Sequence, residues 1–187
     1  MEFANFVVLK SKQGMWPFIK QLLQLILSPK RGWEDISAAA TAPEVVQRRG
    51  FYPWLAVVAV SEFFRLFYVH GLGFLTVVEN AIAIVGALFV SLYIGRMVLE
   101  MVLPSNIDGR INLDKVFLFV IYMVAIVGLY RFVANVLPTD LTLLHFLPIL
   151  SVAMIFRSVN FMGIDQDSTV RFVIISSAVV VIIPLVI

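Results

Sequence analysis

Residues 74–103 read FLTVVENAIAIVGALFVSLYIGRMVLEMVL, an apolar run whose charges are Glu79, Arg96 and Glu100 alone. An α-helix rises about 1.5 Å per residue, so roughly 20 residues cross the ~30 Å of hydrocarbon in a bilayer. This run exceeds that length, which predicts a membrane-spanning helix that tilts or projects into the interface. Further apolar runs occupy 52–70, 116–137, 141–162 and 169–187, each near the length a crossing needs. The expected fold is therefore all-α and polytopic. Five transmembrane helices over 52–187 follow an N-terminal segment, 1–51, that carries an amphipathic helix at about 16–28.

Composition requires the same solution. Of 187 residues, 61% are hydrophobic and 14% charged, against about half and about a quarter in a soluble domain. A soluble fold of this size lacks the polar residues to cover so much Phe, Val, Ile and Leu. The net charge of +2 is scattered at segment ends, which speaks against nucleic acid as a partner. With no cysteine, disulfides, thiolate metal sites and thiol nucleophiles are excluded. Lys10 and Lys12 follow the mildly apolar stretch 1–9, whereas a secretory signal places its charge in front, so no cleaved signal is read.

The connections set the expected orientation. Lys10, Lys12, Lys20, Lys30, Arg31, Arg48 and Arg49 precede the first span, Arg110 and Lys115 lie between the second and third, and Arg157 and Arg171 flank the last connection. The turns at 71–73 and 138–140 hold neither Lys nor Arg. The positive-inside rule then puts the N-terminus in the cytoplasm and the C-terminus outside. In the N-terminal segment, Phe18, Ile19, Leu22, Leu23, Leu25 and Ile26 recur at helical spacing opposite Lys20, Gln21 and Gln24. Such a helix can lie in the cytoplasmic interface, with Trp16 as anchor, Lys20 near anionic headgroups, and Phe18 and Leu22 in lipid; packing beneath the bundle or against a second protomer is the alternative.

The run LILSPKRGWEDI, residues 25–36, has the form of an amphipathic helix ending at Ser-Pro, a basic turn, and a Trp-acidic-acidic-apolar step. Together with Phe51-Tyr52-Pro53-Trp54 at the head of the first span, it resembles the Yip1-domain family, in particular compact bacterial members. The Asp-Leu-Tyr-Gly-Pro element of eukaryotic relatives, which are implicated in trafficking and in contacts with prenylated GTPases, does not occur, and Gly128-Leu129-Tyr130 is the nearest stretch to their Gly-Tyr helical motif. What the resemblance implies is a multi-pass protein of the bacterial inner membrane that acts as a membrane-organising or trafficking-type adaptor, without enzymatic activity.

Charges inside the spans carry the remaining information, because an unpaired charge at mid-bilayer costs at least about 2 to 3 kcal/mol. Counted by rise, Glu62, Arg65, Glu79 and Arg131 fall at mid-depth or in the outer half. Glu62 and Arg65, three apart, share a helix face, and the four residues are expected to form a neutral intramembrane network. A second group, Arg96, Glu100 and Arg157, lies nearer the cytoplasm, with Arg157 free to reach a lipid phosphate. If these charges line a cavity, a small transporter or channel subunit is the competing function. Ala83, Ala87, Ser91 and Gly95 recur every four residues, a small-residue face suited to packing within the bundle or to a homo-oligomer or another membrane-protein partner.

No catalytic, cofactor or metal site is expected. His70 and His145 lack a nearby ligand pattern, Asp165, Asp167 and Ser168 suit a helix start better than a calcium loop, and no Gly-x-Ser-x-Gly, phosphate-binding glycine loop or His-Glu-x-x-His is present. The lipid bilayer is the expected partner.

Overall fold

The computed structural model describes residues 14–103, 112–137, 147–164 and 166–182. Within them the chain is all-helical, and three helices are long and apolar enough to cross a membrane. We number seven helices: α1 Met15–Leu27, α2 Pro29–Ala39, α3 Pro43–Phe67, α4 Phe74–Val102, α5 Leu113–Val136, α6 Leu147–Met162 and α7 Gln166–Ser177, which runs on as a π-helical turn, Ala178–Ile182. The three long helices are α3, α4 and α5. The described parts of α6 and α7 fall short of that length. The turn at 138–140, Arg110, His145 and Asp165 lie outside the described residues.

The hub is α5. Every residue from Val116 to Gly128 is buried, and 78% of its most apolar window is covered, against 39% for α3 and for α4. A helix that is apolar on all sides is stable where neighbours surround it. Around α5 stand α3, α4, α7 and α6, and the α1–α2 hairpin closes the ring between α6 and α3 at the end where α5 begins. The uncovered faces of α3 and α4 carry Val60, Phe67, Leu75, Ile82 and Met101 in the open, which suits hydrocarbon.

Local chemistry fixes the ends, and several differ from the sequence reading. The stretch after Ser28 is not a basic turn: Pro29 occupies the first turn of a second helix, where its missing N–H costs nothing, so Lys30 and Arg31 are helical. The first long helix begins at Pro43, well before residue 52, with Glu44 in its first turn. It accommodates Pro53 by opening one π turn over Gln47–Phe51, where the Tyr52 N–H reaches back to the Gln47 carbonyl. Likewise α5 starts at Leu113 because the Asn112 side chain accepts the Asp114 N–H at 3.0 Å.

The N-terminal hairpin is built into the bundle. Gly32 lets α2 approach α1 so closely that a Cβ there would stand 2.9 Å from Leu25 Cα. Gly50 does the same for α3, where a Cβ would meet the Phe18 ring at 2.7 Å. Phe18 stacks on Tyr122 of α5, with ring centroids 5.2 Å apart. Trp33, 2% exposed, stacks on Phe161 and Phe119 and donates its Nε1–H to the Met154 carbonyl of α6 at 3.1 Å. A buried indole N–H needs an acceptor, and this one is supplied by a neighbouring helix. Trp54 repeats the device, donating from α3 to the Ala125 carbonyl of α5 at 3.1 Å.

Candidate functional site

At the end of the bundle away from the hairpin, α3 tightens into a 3₁₀ segment, Glu62–Phe67. Residues three apart eclipse one another in a 3₁₀ helix. Arg65 Nη1 accordingly sits 3.1 Å from Glu62 Oε2. The other carboxylate oxygen of Glu62 accepts from Asn135 Nδ2 of α5 at 2.8 Å, and the same amide donates to Ser61 Oγ at 3.0 Å. Ser61 in turn donates to the Val58 carbonyl. Glu62 is only 4% exposed, and burying a carboxylate is tolerable when both oxygens have donors. Tyr68 pins the end of α3 by donating to the Asn135 carbonyl at 2.7 Å.

This network forms one wall of an open recess of about 290 Å³ between α3, α4 and α5. Glu62, Arg65 and Arg131 supply its charge, Asn80 of α4 adds an amide, and Ala83, Ile84 and Ala87 complete the lining. Three of the four residues expected to form an intramembrane network thus line one recess, but of these only Glu62 and Arg65 pair among the described residues. Glu79 stands apart, exposed, with no ion pair to a described residue. It precedes Asn80 by one position, about 100° around the helix, so α4 presents the amide to the recess and not the carboxylate. Arg131 therefore lacks the acid expected for it: its Nε is buried without a hydrogen-bond partner among the described residues. The described lining carries two guanidinium groups and one carboxylate.

One turn toward the hairpin the bundle is full. A Cβ on Gly128 of α5 would lie 3.3 Å from Trp54 Nε1, 3.4 Å from Val58 and 3.5 Å from Leu88. Leu88 and Leu92 have no exposed surface. The recess has a closed, apolar floor.

The second charged group divides. Arg96 Nε meets Glu100 Oε1 at 2.6 Å, and its guanidinium lies over the Phe117 ring, 4.3 Å from the centroid. Arg157 does not join them. It is exposed on α6 beside two adjoining clefts of about 190 and 440 Å³, whose shared lining includes Lys30 and Asn160, with Lys115 on the smaller. The four small residues of α4 also divide, with Ala83 and Ala87 on the recess. Ser91 and Gly95 are buried inside the chain, where Gly95 faces Val120 of α5 and Val179 and Val180 of α7. In α1, Phe18 and Leu22 turn into the protein, while Trp16 is 64% exposed and Lys20 stands over its ring at 6.0 Å. The inward apolar stripe of α1 is satisfied by protein. Its outward face still shows Trp16, Leu23 and Leu27.

Asn80 and Asn135 escaped the sequence reading. Neither bears a charge, and an amide near a span's end looks like any polar end residue; its four-residue offset from Arg131 is the one signal that aligned Asn135 with the charged face. Comparison of the chain with family models, with curated proteins and with solved structures found no match.

Proposed function

We propose that this chain is a five-pass integral membrane protein of the Yip1-like kind, acting without catalysis as an adaptor that organises other components of a bacterial inner membrane. The N-terminus and the α1–α2 hairpin lie on the cytoplasmic side, α3 to α5 supply three crossings, the apolar runs 141–162 and 169–187 are assigned the other two on hydropathy and length, and the C-terminus is outside. The observation that carries this reading is the hairpin. It is locked to the filled end of the bundle through Trp33 and Phe18, yet α1 keeps Trp16 and Leu27 outward. A helix tied by one face and apolar on the other is fitted to lie along a membrane interface or hold a membrane partner there.

A small conduit is the second reading, favoured by the polar recess that reaches Glu62. The packing around Gly128 weighs against it, because a conduit needs a continuous polar path. Reconstitution separates the two. Full-length protein in sealed proteoliposomes should give no proton or anion flux above empty vesicles, and cross-linking in the native membrane should capture a defined membrane partner that Trp16→Glu with Leu27→Glu releases. Flux abolished by Glu62→Gln would replace the adaptor with the conduit.

A further inference from the structure

We propose that the recess between α3, α4 and α5 binds a phosphate-class oxyanion, with a phosphodiester monoanion as the best match. The site stands on the geometry of the recess and is independent of the adaptor reading.

Charge is the first argument. Both oxygens of Glu62 are engaged, one by Arg65 and one by Asn135. Arg131 has no acidic partner among the described residues, and its Nε–H is buried with nothing to accept it. The described lining carries a surplus of one positive charge, and a single negative charge neutralises it one for one. A phosphate monoester, with nearly two charges at neutral pH, would leave an excess of the opposite sign.

Donor geometry is the second argument. Guanidinium presents a planar fork of N–H groups matched to two oxygens of a phosphate, and two such forks with the Asn80 amide converge on this space. Size is the third. Ala83 and Ala87 keep the α4 wall thin, and about 290 Å³ lies at the lower limit of small-molecule sites, enough for a headgroup and not for a large ligand. Below it, Trp54, Val58 and Leu88 pack against Gly128, so a bound group enters and leaves by the mouth.

One chemistry has two sources, a lipid headgroup presented from the surrounding leaflet or a free phosphate compound from the aqueous phase. Full-length protein in a non-ionic detergent and phosphate-free buffer is titrated with short-chain phosphatidylglycerol, with glycerol phosphate and with inorganic phosphate, following the thermal midpoint and ³¹P line broadening. Saturable stabilisation by the lipid alone assigns a lipid site. Saturable binding of all three assigns a general oxyanion site. Arg131→Gln should weaken binding at least tenfold, while Arg131→Lys should retain part of it. Ala83→Leu fills the recess without removing a charge and should abolish binding in a folded protein, which keeps the proposal testable if Arg131→Gln does not fold. No saturable binding of any probe, or binding unchanged in Ala83→Leu, overturns it.

Discussion

Replacing Glu62 by Gln and Arg131 by Gln should move stability in opposite directions, although both remove a single charge from one recess. Glu62 is nearly fully buried and holds two donors, Arg65 at 3.1 Å and Asn135 at 2.8 Å. An amide at that position retains one acceptor oxygen but presents an N–H₂ toward one of those donors, and it leaves the two guanidinium groups that line the recess without a carboxylate beside them. Removing one partner of a fully buried pair costs roughly 3 to 5 kcal/mol. Arg65 keeps 33% of its side chain exposed, so solvent screens part of the loss and about 2 to 3 kcal/mol is expected. Arg131→Gln instead removes a charge with no acidic partner among the described residues and a buried Nε–H with no acceptor. It should be neutral or stabilise by up to about 1 kcal/mol, since an unsatisfied buried donor is itself a penalty. Urea titration in a non-ionic detergent and phosphate-free buffer, followed by far-UV circular dichroism, measures both. A neutral Glu62→Gln, or an Arg131→Gln that costs more than Glu62→Gln, would refute the charge assignment.

Other substitutions test the packing. Trp33→Ala should cost about 3 to 5 kcal/mol and open Lys30 and Arg31 to trypsin, because the ring and its bond to Met154 hold α2 on α6; unchanged cleavage would contradict that tie. Gly32→Ala should destabilise by about 1 to 3 kcal/mol, as its Cβ meets the Leu25 backbone, whereas Gly86→Ala, with nothing within 4 Å, should be neutral or stabilise by up to about 1 kcal/mol. The two unfolding midpoints must diverge in that order. Gly95→Leu should lower the unfolding midpoint without altering the sedimentation of the detergent complex, because Gly95 packs against α5 and α7 of its own chain; a change in oligomeric state with stability intact would return that face to an interface.

The parts of the fold that were legible in the sequence are those written in single segments. Hydropathy marked α4 almost to the residue, because Phe74–Val102 is uniform and Gly73 and Pro104 bracket it. The spacing of Glu62 and Arg65 points to their pairing as an α-helical step; the 3₁₀ turn that eclipses them packs against α4 and α5, neighbours that the spacing does not specify. The start of α2 is ambiguous in the sequence, because Ser-Pro both ends one helix and begins the next, and the close approach of Gly32 to Leu25 is a relation between the two helices. Depth alone places Glu79 with the other charges, since depth is readable from rise while azimuth depends on which neighbour each helix face meets. The role of Asn135 and the isolation of Arg131 are relations between helices, and hydropathy holds no record of those.

The recess lined by Glu62, Arg65 and Arg131 lies at the end of the bundle opposite the α1–α2 hairpin, and in the orientation we propose it opens to the outside. The chain has no cysteine, so single cysteines at Ala83, Ser91 and Ser37 can be probed with a membrane-impermeant thiol reagent in sealed vesicles of each orientation. Ala83→Cys should react from the outside alone, Ser37→Cys from the cytoplasmic side alone, and the buried Ser91→Cys from neither. Labelling of Ala83→Cys from the cytoplasmic side, or of Ser91→Cys from either, would contradict it.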